Sequence, residues 1–85
     1  GGKNLFYFNI YPIPASKIIN ISFVNIGNNK IIIELYDMLG KLKKSIISNV
    51  TNNKISLDIS KLSKGIYLVK VTFGTNISLK RFIKE

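Results

Sequence analysis

Every apolar run in this chain is short, rich in Ile, Val, Phe or Tyr, and parted from the next by turn residues, about every 10 positions. Such residues suit a pleated, half-buried surface, and no long stretch keeps a 3.6-residue period. The pattern predicts an all-β chain, a sandwich or small barrel. Seven strands are expected, at about Leu5–Tyr11, Ile18–Val24, Lys30–Tyr36, Lys41–Ser48, Lys54–Asp58, Gly65–Phe73 and Asn76–Lys84. Pro12 and Pro14 end the first and confine it to a sheet edge, since proline donates no ladder bond.

The expected connections have mechanisms. Gly27-Asn28-Asn29 ends the second strand, and Asn49–Asn53 closes the fourth. Asp37-Met38-Leu39-Gly40 joins strands three and four: Asp37 accepts backbone N–H bonds and Gly40 takes positive φ. Gly74-Thr75 supports a tight hairpin. Ser60–Lys64 makes either one helical turn or an arch between two sheets. Alternation places Ile19, Ile21 and Phe23, then Ile31, Ile33 and Leu35, then Ile55, Leu57 and Ile59, and finally Tyr67, Val69, Val71 and Phe73 in a core between sheets about 10 Å apart. Strand seven breaks the rule. Ile77 and Leu79 fall on one parity and Phe82 on the other, so a bulge near Lys80-Arg81 is expected to reunite them.

At 85 residues the chain is one domain, over 5–85, with residues 1–4 a linker or cloning remnant. No apolar run approaches the roughly 18 residues of a membrane span. No signal peptide is present, so an exported parent would carry one upstream. Net charge is +9, from 13 Lys and Arg against Glu34, Asp37, Asp58 and Glu85. That balance raises nucleic acid or an anionic surface as partner. The positives are scattered from Lys3 to Lys84, with Lys41, Lys43 and Lys44 the nearest thing to a run, and read as a solvated face. The cluster Phe6, Tyr7 and Phe8 has one Lys nearby and reads as core or edge packing, so no nucleic acid is expected.

Catalytic and cofactor chemistry finds no footing. The chain has no His and no Cys, which removes the usual general base, the Ser-His-Asp arrangement and thiolate chemistry. Asp37 and Asp58, the interior carboxylates apart from Glu34, sit at turns, where capping explains them. Four carboxylates are too few for an acidic calcium loop, and no Gly-rich phosphate loop occurs. Neither an enzyme nor a cofactor is expected. The sequons at Asn20, Asn49 and Asn76 are chance matches in an Asn-rich chain.

Four elements in order carry a resemblance. They are Tyr11-Pro12-Ile13-Pro14-Ala15, then Tyr36-Asp37-Met38-Leu39-Gly40-Lys41, then Asp58-Ile59-Ser60-Lys61-Leu62-Ser63-Lys64-Gly65-Ile66-Tyr67, and a closing Lys80-Arg81-Phe82-Ile83-Lys84-Glu85. Together they resemble the type IX secretion C-terminal sorting domain, type A, of Bacteroidetes; Ile13 stands where that family usually has Asn. The resemblance implies a seven-stranded antiparallel immunoglobulin-like β-sandwich at the end of an exported protein. It implies partners too: an upstream cargo domain, a periplasmic shuttle, an outer-membrane translocon and a sortase-like peptidase that cleaves in or before Gly1–Phe8. Recognition is expected at Lys80, Arg81, Phe82, Ile83, Lys84 and Glu85. Tyr11, Pro12, Pro14, Asp37, Gly40, Lys41, Asp58, Leu62, Gly65 and Tyr67 are expected to make the fold. Leu62-x-x-Gly65-x-Tyr67 reads as a tyrosine corner, with positive φ at Gly65. The competing reading is a stand-alone immunoglobulin-like adhesin or carbohydrate-binding module, which would bind a glycan in isolation.

Overall fold

The computed structural model describes residues 7–24, 30–49 and 53–85. Seven strands follow one another: β1 (Tyr7–Tyr11), β2 (Ile18–Val24), β3 (Lys30–Asp37), β4 (Leu42–Asn49), β5 (Lys54–Asp58), β6 (Gly65–Phe73) and β7 (Asn76–Lys84). All strand pairings are antiparallel, in one sheet of order β1-β2-β5 and one of order β4-β3-β6-β7. This is a β-sandwich of immunoglobulin type in which the fourth strand stays beside the third and does not join the opposite sheet. Four of the seven expected ranges match to the residue, and β1 lies at a sheet edge as its prolines require. The expected linker at residues 1–4, Leu5 and Phe6, the Gly27–Asn29 turn and most of the Asn49–Asn53 stretch lie outside the described residues.

Period-2 alternation builds the core. Phe8, Ile10, Ile19, Ile21, Phe23 and Leu57 face inward from the smaller sheet. Ile31, Ile33, Leu35, Tyr67, Val69, Val71 and Phe82 meet them from the larger one, while Ile55 and Phe73 pack against the margin. Each full burial of such a side chain stabilises by roughly 1.5–3 kcal/mol, so this one layer dominates the favourable terms.

The bulge expected in β7 is absent. Its register with β6 is unbroken from Gly65↔Lys84 to Phe73↔Asn76, and Ile77 and Leu79 lie on the outer face, 58% and 54% exposed. The reason lies on the inward side. Ser78 and Lys80 are half-buried and exposed, so the inner face of β7 leaves the core at that end and tolerates polar groups. Only Phe82, 1% exposed, and Lys84 reach the interior. The larger sheet's irregularity sits in the β3–β4 ladder, where Leu35 pairs with Lys44 but Tyr36 with Leu42.

The turns follow their chemistry. Asp37 Oδ1 accepts the backbone N–H groups of Leu39 and Lys41, both at 2.9 Å, and Gly40 stands at φ 84°. Phe73↔Asn76 pairing closes the Gly74-Thr75 hairpin. The segment after β5 resolves as an arch: Ser60 N–H donates to Asp58 Oδ1 and Leu62 N–H to the Ile59 carbonyl.

Two substitutions separate core from outer face. Ile33→Ala is expected to cost about 2–5 kcal/mol, whereas Leu79→Thr stays within about 0.5 kcal/mol. Urea midpoints measure both, and a large loss for Leu79→Thr would restore the bulged register.

Candidate functional site

The expected recognition end divides by strand parity. Phe82 is buried and stacks on Tyr67 with ring centroids 5.6 Å apart. Lys84 is 8% exposed and its Nζ donates to the Glu85 carbonyl at 2.8 Å. Arg81 and Ile83 face solvent, and Lys80 Nζ lies 5.8 Å from the centroid of the Phe8 ring. That distance permits a cation–π contact. Of this end, Lys80, Arg81 and Ile83 are thus exposed, while Phe82 and Lys84 are buried in the fold.

The Tyr11–Ala15 element positions this end. Pro12 and Pro14, both exposed and both preceded by cis peptide bonds, carry the chain from β1 across to the larger sheet. Ala15, fully buried, then forms a parallel bridge with Lys84. Its N–H donates to the Ile83 carbonyl at 2.8 Å, and its carbonyl accepts the Glu85 N–H at 2.7 Å. Sequence reasoning quoted Ala15 without giving it a role. The available signal was a methyl-sized residue directly after the second proline, where a larger one could not sit against a strand edge. Beside this clasp lies a groove of about 590 Å³, lined by Ile13, Ile66 and Ile83 together with Lys80, Arg81 and Asn9. No carboxylate lines it among the described residues.

The remaining motif residues are structural. Tyr67 Oη donates to the Ser63 carbonyl at 2.6 Å, which is the expected tyrosine corner. Gly65 sits at φ 151°, a conformation that strains other residues. Leu62 packs partly buried against the core, and the Tyr11 carbonyl accepts Asn20 Nδ2. The Lys41 carbonyl and N–H both bond to Asp37, closing the turn. The Lys41 N–H bond is the main influence that holds the Asp37 carboxyl below its usual range; burial opposes it, and the Leu39 N–H bond and the Lys43 and Lys41 charges add to the lowering. Bonds from Ser60, reinforced by Lys44 and Lys61, do the same for Asp58. These causes are capping and not catalysis. Lys44 Nζ also donates to the Asp58 carbonyl, joining the two sheets at the opposite side from the groove.

The outer face of the smaller sheet shows Asn9, Asn20, Ser22 and Ser56 beside exposed Tyr11, Ile18 and Val24, with Ser56 Oγ donating to Asn20 Oδ1 at 2.6 Å. The larger shows Ile47, Ile66, Ile77, Leu79 and Ile83, all exposed. Within it, Glu34 accepts the Tyr36 hydroxyl at 3.0 Å and lies 3.8 Å from Lys70; the hydrogen bond to Glu34 raises the Tyr36 phenol's pKa.

Comparison with known families matches residues 9–85 to the secretion system C-terminal sorting domain. The chain belongs to that family. The four elements quoted from the sequence thus lie within the matched region. Beta-agarase D of Zobellia galactanivorans is 30% identical over 76 residues, covering 87% of this chain and 14% of that protein. The crystal structure of dimeric latent PorU from Porphyromonas gingivalis superposes with a TM-score of 0.68 at 17% identity, over 98% of this chain and 9% of that one. The latter establishes likeness of fold. This sorting domain is a type IX export signal, and the polypeptide bearing it is destined for the cell surface or beyond. A family of sorting signals implies a secretion machinery and a cargo domain as partners.

Two outcomes test the motif assignments. Tyr67→Phe is expected to lower stability by about 0.5–1.5 kcal/mol, read as a shifted urea midpoint at unchanged slope. Asp37 and Asp58 bind protons less readily folded than unfolded, so their stabilisation is complete above the unfolded value near 3.9 and is lost as pH falls through the lower folded values. The double variant Asp37→Asn, Asp58→Asn should therefore show a flatter loss of melting temperature below about pH 4.

Proposed function

We propose that the sorting signal is read at the solvent-facing side chains Lys80, Arg81 and Ile83, while Phe82 and Lys84 hold that end in shape. The reader is the export apparatus: a periplasmic shuttle, an outer-membrane translocon and a sortase-like peptidase that removes the domain after delivery. The cargo is an upstream domain of the same polypeptide, and the domain itself performs no catalysis. What carries this reading is the division of the terminal strand. Its core positions are occupied by Phe82 and Lys84, yet Arg81 and Ile83 face solvent and, with Lys80 exposed over the Phe8 ring, line a groove of mixed charge and apolarity. A purely structural strand has no need of that mixture in one place.

Removal of residues 80–85 is a poor test, because losing Phe82 alone costs about 3–5 kcal/mol and unfolds the signal with its reader site. The triple variant Lys80→Thr, Arg81→Thr, Ile83→Thr keeps strand-forming residues and replaces no buried side chain, at the loss of the Lys80 contact over Phe8. In the parent polypeptide it should accumulate in the periplasmic fraction, with the domain still folded by its urea midpoint. Normal surface delivery of that variant would refute the assignment.

A further inference from the structure

The edge of β7 is used along only part of its length. In an extended strand the N–H and C=O of one residue point to the same side, and successive residues alternate. The Ile83 carbonyl and the Glu85 N–H both bond to Ala15, so odd-numbered residues of β7 point away from β6. The backbone groups of Ile77, Leu79 and Arg81 therefore face outward, and no strand pairs with them among the described residues. This open stretch is guarded by the charges of Lys80 and Arg81 and by no proline, bulge or brevity: β7 runs nine residues in unbroken register. By contrast β1 is ended by prolines, β5 has five residues and β4 carries the irregular register.

We propose that the β7 edge from Ile77 to Arg81 is a strand-addition site, which takes an extended acidic segment of a partner protein as the next strand of the larger sheet. This rests on the reading that β7 is the recognition element. Three observations select the occupant. First, only an extended chain satisfies a row of alternating N–H and C=O groups, and Ala15 already does so at the far end of the same edge. Second, the groove beside that edge holds Lys80 and Arg81 with no carboxylate, so the charge complement is acidic. Third, its Ile13, Ile66 and Ile83 walls offer contact to alternate apolar side chains of the incoming strand. A second copy of this chain is disfavoured by the same groups: edge-to-edge pairing would set Lys80 and Arg81 against one another, between molecules each carrying +9.

The probe is a capped nonapeptide alternating valine with glutamate and threonine, added to the full 85-residue chain, with amide hydrogen exchange followed residue by residue. At ten times its Kd the peptide should slow exchange of the Ile77, Leu79 and Arg81 amides about tenfold, since only the free fraction exchanges. The Ser78 and Lys80 amides, already bonded to β6, should not change. A lysine-for-glutamate peptide and a backbone N-methylated one should leave all five unaffected. Leu79→Pro removes one outward N–H at an edge position that tolerates proline, and should abolish the effect, while Leu79→Ala retains it. Equal protection by the lysine peptide, or full protection of the three amides with no peptide present, would overturn the proposal. In the parent polypeptide, export of Leu79→Pro at the normal level beside a blocked Lys80, Arg81, Ile83 triple variant would sink strand addition alone. Normal export of both would sink the recognition reading beneath it.

Discussion

Two sheets with no strand in common are held together by the side chains between them. Everything else in this domain is arranged around that layer. Because the layer is one side chain deep from each sheet, each strand must keep its parity, and a single slip would turn a row of isoleucines to solvent. Among the described residues the backbone hydrogen bonds between the two sheets are those of Ala15 with Ile83 and Glu85, and the Lys44 side chain spans the opposite margin. The tyrosine corner and the Asp37 turn then hold in place the strand ends that side chains alone would leave to fray.

The same layer explains why the terminal strand is divided. β7 covers the core only at its C-terminal end, so Phe82 must point in, and alternation then obliges Arg81 and Ile83 to point out. Exposure of those groups follows from burial of their neighbour.

Much of this was legible in the residues. Seven strands, the inward sets on β2, β3, β5 and β6, the turn at Asp37 and the corner at Tyr67 all follow from local chemistry, and local chemistry is what a sequence displays directly. The family resemblance carried by Tyr11–Ala15 and the later elements was likewise present in the letters. Two features were not. The expected bulge in β7 assumed that every apolar side chain must share the core, whereas Ile77 and Leu79 lie where the strand has already passed the core's edge. That depends on how far two sheets overlap, which no single strand records. The bond between Ala15 and the terminal strand was hidden for a similar reason, since about 70 residues separate the partners and neither side chain announces the pairing.

That distant pairing has a temporal meaning. A ribosome makes the Pro-Ala segment long before the strand it clasps, so the sandwich cannot close until its final stretch exists. Phe82, near the very end, completes the interior at the same moment. The closed sandwich thus arises only in a polypeptide translated through to this strand, and a product stopped short of it lacks both the clasp and the ring that completes the interior.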